Sequence, residues 1–280
     1  MTATIPTEIQ AGLAGGQVIP YLGPGVLDLD GGSAVPSAPE TLVELITAKV
    51  TVPHKIRRNL TAAGQYIENF KHRKTLVGLL KEAFAAAPAP NGLHRYLAGQ
   101  PLPLIVDAWY DASMAAALAG RSDFGQVQGV SRAEHFGEWV HYFHADGSPA
   151  AEADAANWNL LLYKPLGGIA PAANFILSDS DYVEVLTEID IQTPIPEPVK
   201  QIRSGRHFLF LGCRFRTQLE RTYARQIMKR SSDLHWAVLP DEPTRNEERF
   251  LAEQRIRRID LPLEDFVRRL AGAAAARQAA

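Results

Sequence analysis

Apolar residues gather in six short runs: VIPYLG (18–23), PLIVDAW (103–109), NFILS (174–178), HFLFLG (207–212), HWAVLP (235–240) and IRRIDL (256–261). Most are continuous rather than alternating, the pattern of strands in a parallel sheet covered by helices on both faces. Other stretches follow a longer period. PETLVELITAKV, NLTAAGQYIENF and KTLVGLLKEAFAAA place apolar residues three and four apart and predict helices. Ser37 is positioned to cap the first, and AAAPAP stops the third. SDYVEVLTEI opens on Ser180 and Asp181, and RTQLERTYARQIMKR is a basic amphipathic helix directly after the fourth strand. Strands alternating with helices predict an α/β fold, a Rossmann-like parallel sheet of about six strands flanked by helices.

The spacing is uneven. The long gaps after the first and second strands predict helical insertions at about 37–100 and 112–160, forming a lobe on one domain spanning 1–265. Within the second gap, FHADGSPAAEADAAN is small and polar and reads as a loop. The end of the chain, 266–280, closes on AGAAAARQAA, helix-prone with little to bury, so a helical or frayed tail is expected.

Composition narrows the function. Of 280 residues 46% are hydrophobic, enough for a sizeable core. A formal charge of −2 supplies no basic field for nucleic acid or an anionic membrane. Cys213 is the sole cysteine, which excludes an intrachain disulfide and a multi-cysteine zinc site, so no structural zinc is expected. MTATIPTEIQ lacks the basic and apolar segments of a signal peptide, and no apolar run approaches the roughly 20 residues that span a bilayer. The expected compartment is the cytoplasm; an oligomer stays open.

Four stretches carry candidate chemistry. In YLGPG, Gly23 and Gly25 would let backbone approach a phosphate, but the third glycine of a dinucleotide fingerprint is missing, and on this feature alone a plain turn is the better reading. In LPLIVDAWYD, Asp107, Tyr110 and Asp111 sit at a strand end, where open α/β sheets place ligands. In FLFLGCRF, Gly212 permits close approach and Arg214 could pair with a phosphate, while Cys213 reads as a small buried residue rather than a nucleophile. In EHFGEWVHYFH, a helix would put Glu134, Glu138 and His141 on one face, leaving out His135 and His144. That is half a dimetal motif with no second E-x-x-H in the chain, so no metal site is assigned.

Taken in order, these pieces resemble the prokaryotic sirtuin-like (silent-information-regulator-type) NAD-binding domains. VIPYLGPGVL resembles that family's strand followed by Gly-Ala-Gly-Val-Ser. GLHRYLAGQPLPLIV resembles its Leu-His helix, and DAWYD its Thr-Thr-Asn-Tyr-Asp. YKPLGG…FILSDSDYVEVL resembles Lys-Leu-His-Gly with the helix start beyond it. FLFLGCRFRTQLERT resembles its Phe-Leu-Gly strand end. The resemblance spans about 18 to 240 and implies a Rossmann-like fold with a helical lobe. It also implies a site for NAD or ADP-ribose at Gly23, Gly25, Val26, Trp109, Tyr110, Asp111, Leu166, Gly167, Gly212, Cys213 and Arg214.

The departures from the family pattern are equally specific. The family histidine, a general base on the nicotinamide ribose, corresponds to Leu166, and the asparagine that positions ribose and water corresponds to Trp109. Leu27 replaces the serine, Thr217 the late aspartate, and Pro24 removes a backbone N–H between the glycines. The resemblance so modified implies a catalytically degenerate binder of NAD, ADP-ribose or a related nucleotide, or a scaffold for a protein partner. An active NAD glycohydrolase using Asp107, Asp111 or His141 as its base is the alternative, and a metal- or cofactor-handling protein the third. Three expectations follow: the strand ends at Gly23, Asp107 and Gly212 meet on one side of a parallel sheet, NAD hydrolysis is negligible, and Trp109 and Leu166 close the nicotinamide subsite.

Overall fold

The computed structural model describes residues 5–135, 137–191 and 195–278. In chain order it holds α1 (Thr7–Ala14), β1 (Val18–Leu22), a 3₁₀ turn (Pro24–Gly31), α2 (Pro39–Lys49), α3 (Leu60–Lys71), α4 (Arg73–Ala83) and α5 (Gly92–Ala98). Then come β2 (Leu104–Asp107), α6 (Ser113–Ala117), β3 (Phe124–Gly129), β4 (Val140–His144), β5 (Pro149–Ala150), β6 (Leu160–Lys164), β7 (Gly167–Gly168) and β8 (Asn174–Phe175). The remainder is α7 (Asp179–Ile191), α8 (Glu197–Arg203), β9 (His207–Leu211), α9 (Gln218–Ile227), β10 (His235–Val238), α10 (Arg245–Glu253), β11 (Ile256–Ile259) and α11 (Leu263–Gln278).

The main sheet runs β11-β10-β9-β1-β2-β6-β3-β4-β5, parallel from β11 to β3 and antiparallel at β4 and β5. Its strands are apolar on both sides because both sides are covered. Ile19, Tyr21, Val106, Phe208 and Phe210 face α9 through Tyr223, Ala224 and Ile227. Val18, Leu22, Ile105, Leu209 and Leu211 face α1, α5 and α11 through Ile9, Leu13, Leu93, Leu97, Phe266 and Leu270. Each fully buried leucine or phenylalanine contributes about 1.5–3 kcal/mol relative to exposure. The C-terminal segment therefore starts as an anchored helix, with Phe266 and Leu270 in the core.

Three expectations change. The helical lobe is real but narrower: α2, α3 and α4 pack through Leu42, Ile46, Ile67, Leu76, Leu80 and Phe84 onto Trp109, Tyr110 and Phe175, while α5 belongs to the sheet layer. The stretch 112–160 is not a helical insertion. After the short α6 it supplies β3, β4 and β5, and β6 begins at its end. Its pattern is hidden because β3 buries Gln126 and Gln128, whose side chains donate to the carbonyls of Ala170, Gly168 and Ala172. The run at 174–178 is also outside the main sheet: only Asn174 and Phe175 are strand, paired with β7.

Candidate functional site

Chain direction changes side about β1, which lies between β2 and β9 with all three parallel. The connections leaving β1 and β9 diverge there, the place where open α/β sheets form a crevice. A cavity of about 660 Å³ occupies it, within the range of about 300–1,000 Å³ common for small-molecule sites. Gly23, Gly25, Trp109, Tyr110, Leu166, Gly212, Cys213 and Arg214 all line it, so strand ends separated by nearly two hundred residues converge as expected. Val26, Asp111 and Gly167 do not line it. Val26 is buried in the core below, Asp111 is buried and accepts the Ser113 amide at 2.8 Å, and Gly167 pairs in β7.

The two glycine turns are built against each other. The Gly23 N–H donates to the Leu211 carbonyl at 2.9 Å, Gly25 N–H to the Gly212 carbonyl at 3.0 Å, and Val26 N–H to the Gly23 carbonyl at 3.2 Å. Pro24, between them, has no N–H to offer. A methyl on Gly23 would stand 2.5 Å from the Gly212 oxygen, and one on Gly212, whose φ is +64°, 2.4 Å from the Val26 nitrogen. These glycines allow two backbones to touch, and the amides that a phosphate turn would present are already engaged.

At the end of β2 the chain turns inward. Asp107 is buried, takes the Lys164 ammonium at 2.6 Å and accepts the Trp109 amide at 3.3 Å. Burial pushes its carboxyl up to about 6, against the pull of Lys164. The Trp109 indole N–H donates to the Pro36 carbonyl at 2.7 Å, and its ring meets Phe84 edge-on at 6.0 Å and Tyr110 at 4.9 Å. The Tyr110 hydroxyl donates to the Ile176 carbonyl at 2.8 Å, and burial raises its pKa strongly. Leu166, half-buried beside them, is fixed through its carbonyl, which accepts the Ile176 amide at 2.9 Å.

Beyond β9, Cys213 is buried with its thiol directed at the Tyr21 and Leu211 carbonyls, each at 3.5 Å, and burial raises its pKa far above the ordinary thiol range. It is not poised as a nucleophile. Arg214 is fully employed: its guanidinium forks onto Glu247 at 3.0 and 3.1 Å and reaches Asp241 at 3.0 Å. An Arg214 so held is not turned to a phosphate, which corrects the role read from the sequence. The cavity also takes in Arg58 and Arg216, with Asp28, Glu40 and Glu220. Nothing in the spacing marked Arg58, Arg216 or Glu220, because the α2–α3 loop and the start of α9 reach the crevice only through the fold.

Among the described residues of the histidine-rich stretch none is helical. His141 lies on β4, and none of His135, His141 and His144 lines the cavity. The imidazole of His141 instead meets Glu138 at 2.8 Å, and Glu134 turns away to Arg73 at 3.3 Å. His135, expected to stand apart, joins Glu138 and His141.

Residues 103–259, more than half of the chain, match the family model of the SIR2-like domain. The chain belongs to the SIR2-like domain family. The match begins at β2 and ends at β11, so it takes in the Trp109, Leu166 and Gly212 walls and leaves the Gly23 turn outside. No curated protein matches this SIR2-like chain. Among the described residues no helix is long and apolar enough to cross a membrane.

Proposed function

We propose that this SIR2-like domain binds ADP-ribose or a related adenine nucleotide in the strand-end cavity and does not cleave NAD. One observation carries the reading: Leu166 and Trp109, where the resemblance expects the base and the positioning amide, both wall the cavity and are both held by their surroundings. Neither can accept a proton from a ribose hydroxyl. Losing one acid–base group typically costs about 10²- to 10⁴-fold in rate. The bases of the alternative reading are engaged: Asp107 by Lys164, Asp111 by Ser113 and His141 by Glu138. A nucleotide fits in part. The volume is adequate, and Arg58 and Arg216 put cations on the lining, Arg216 within 3.8 Å of Glu40, but the Gly23–Gly25 amides are spent.

Calorimetric titration of the full chain with ADP-ribose and with NAD, paired with a nicotinamide-release assay, tests the reading. ADP-ribose is expected to bind at least as tightly as NAD, with release no higher than in a protein-free blank. Clearly tighter NAD binding, or nicotinamide release abolished by Asp111→Asn, would favour the hydrolase. If neither ligand binds at millimolar concentration, a scaffold for a protein partner is the better account.

A further inference from the structure

We infer that His135, Glu138 and His141 form a binding site for a divalent transition cation of the zinc class. The inference is independent of the nucleotide reading, because none of the three lines that cavity. One ligand atom from each residue lies within 4.8 Å of the others. The Glu138 carboxylate oxygen is 2.8 Å from His141 Nε2 and 3.9 Å from His135 Nδ1, and the two imidazoles meet edge to face with centroids 4.6 Å apart. Two ligands about 2.1 Å from a tetrahedral zinc ion stand about 3.4 Å from each other. The two measured separations bracket that value, so small side-chain rotations would bring the three donors onto one ion.

The backbone prepares the arrangement. β3 and β4 form a hairpin in which Gln128 pairs with His141 and Gly129 with Val140, and Val130 N–H closes its loop on the Trp139 carbonyl at 3.0 Å. Within the loop, His135 N–H donates to Ser131 at 3.0 Å and Glu138 N–H to His135 at 3.2 Å, two successive turns that aim both side chains back over His141. The loop is tied down at its start. The Ser131 N–H donates to the Asn174 side chain at 2.8 Å, and Glu134 is held by Arg73. Two imidazoles and one carboxylate are the donor set of three-ligand zinc centres, which leave the fourth position to water or another ligand. The cluster is partly exposed, with side-chain accessibilities of 34%, 60% and 25% for His135, Glu138 and His141, so an ion can enter from solvent. Neutral imidazoles and an ionised carboxylate are the ligating forms.

The test uses the metal-stripped 280-residue chain titrated with Co²⁺ and followed by visible absorption, then with Zn²⁺ in competition. One equivalent of Co²⁺ should produce the d–d bands of a four- or five-coordinate ion, and Zn²⁺ should displace it. His141→Gln and Glu138→Gln should each weaken binding by roughly tenfold or more, since even groups that only support a metal ligand are worth about 10- to 100-fold. His144→Gln, on the same strand but outside the cluster, should bind as wild type does. Should His141→Gln fail to fold, His135→Gln on the loop carries the same expectation. A six-coordinate aqua-ion spectrum, or unchanged affinity in His135→Gln and Glu138→Gln, would overturn the site.

Discussion

Lys164 Nζ stands 2.6 Å from the Asp107 carboxylate at the ends of neighbouring strands β6 and β2, and both side chains are shut away from solvent. Burial raises the Asp107 carboxyl to about 6, whereas an aspartate in an unfolded chain titrates near about 3.9. The folded protein therefore holds the extra proton between these values, and this group's contribution to stability falls as pH rises through that window. Asp107→Asn should abolish that slope. It should also cost about 3–5 kcal/mol at neutral pH, because Lys164 is left buried without its counter-charge. Adding Lys164→Met should recover most of the loss. Urea unfolding of the three proteins measures it, and a single-variant loss well under about 1 kcal/mol would mean the pair is not buried together.

Two histidines act in the opposite direction. His94 Nδ1 accepts the Asn91 amide at 3.3 Å, and His235 Nδ1 accepts the Phe208 amide at 3.0 Å. Each ring must stay neutral at that nitrogen, and burial lowers each pKa to about 4. Unfolded histidine titrates near about 6.5, so the stability they contribute is present above that pH and is lost as pH falls towards the folded value. His235→Gln, which keeps an acceptor for Phe208, should flatten the acid limb of thermal unfolding between these pH values by about 1–3 kcal/mol. An acid limb as steep as wild type would show that His235 is not the group responsible.

Arg214 gives a third test. Glu247 is completely buried beneath its fork and also accepts the Phe215 amide at 3.1 Å and the Thr244 amide at 2.9 Å. Despite the burial that opposes it, these partners hold the Glu247 carboxyl down at about 2. Arg214→Met should therefore destabilise the ligand-free protein by about 3–5 kcal/mol. The stability that Glu247 supplies is present above the ordinary glutamate value and lost as pH falls towards 2. A variant as stable as wild type but deficient in nucleotide binding would restore the phosphate role to Arg214.

What the sequence reveals follows from which interactions leave a periodic trace. β1, β2, β9 and β10 announce themselves because both of their faces are apolar, and the α2–α4 lobe because each helix has one apolar face. β3 is silent because its buried Gln126 and Gln128 donate through their amide nitrogens to carbonyls some forty residues away. The same holds at the site. Trp109 and Leu166 could be placed by motif order, but that Arg214 is spent on Glu247 depends on α10 arriving beside it. The His135, Glu138 and His141 cluster was read with helical spacing, which separates His135; a turn followed by a strand brings it back.

The glycines separate packing from ligand contact. Gly23→Ala would drive a methyl to 2.5 Å from the Gly212 oxygen, and Gly212→Ala would also force a side chain into a left-handed backbone. Each should cost about 1–3 kcal/mol or more in the absence of any nucleotide. Chemical denaturation of ligand-free protein decides it. If Gly23→Ala unfolds at wild-type denaturant concentration, the glycine is reserved for a ligand and the turn-to-turn contact is not what requires it.

The final expectation concerns the wall that the proposal rests on. Trp109 is a poor residue to remove alone, since its indole N–H is bonded to Pro36 and its ring packs on Phe84 and Tyr110. Trp109→Asn should cost about 3–5 kcal/mol, as for other large aromatic truncations. Leu166 is half-buried and is tied to its neighbours through its backbone carbonyl, so Leu166→His should fold and place an imidazole on the cavity wall. By itself that change supplies a base without the positioning amide, and nicotinamide release should stay at the blank. The double variant Trp109→Asn with Leu166→His, checked first by circular dichroism, should open space at the same end and raise affinity for NAD relative to ADP-ribose. An indole buries on the order of 200 Å², comparable with the contact a nicotinamide ring would need. A folded double variant whose preference between the two ligands matches wild type would mean that Trp109 and Leu166 do not bound the nicotinamide side, and the degenerate-binder reading would lose its main support.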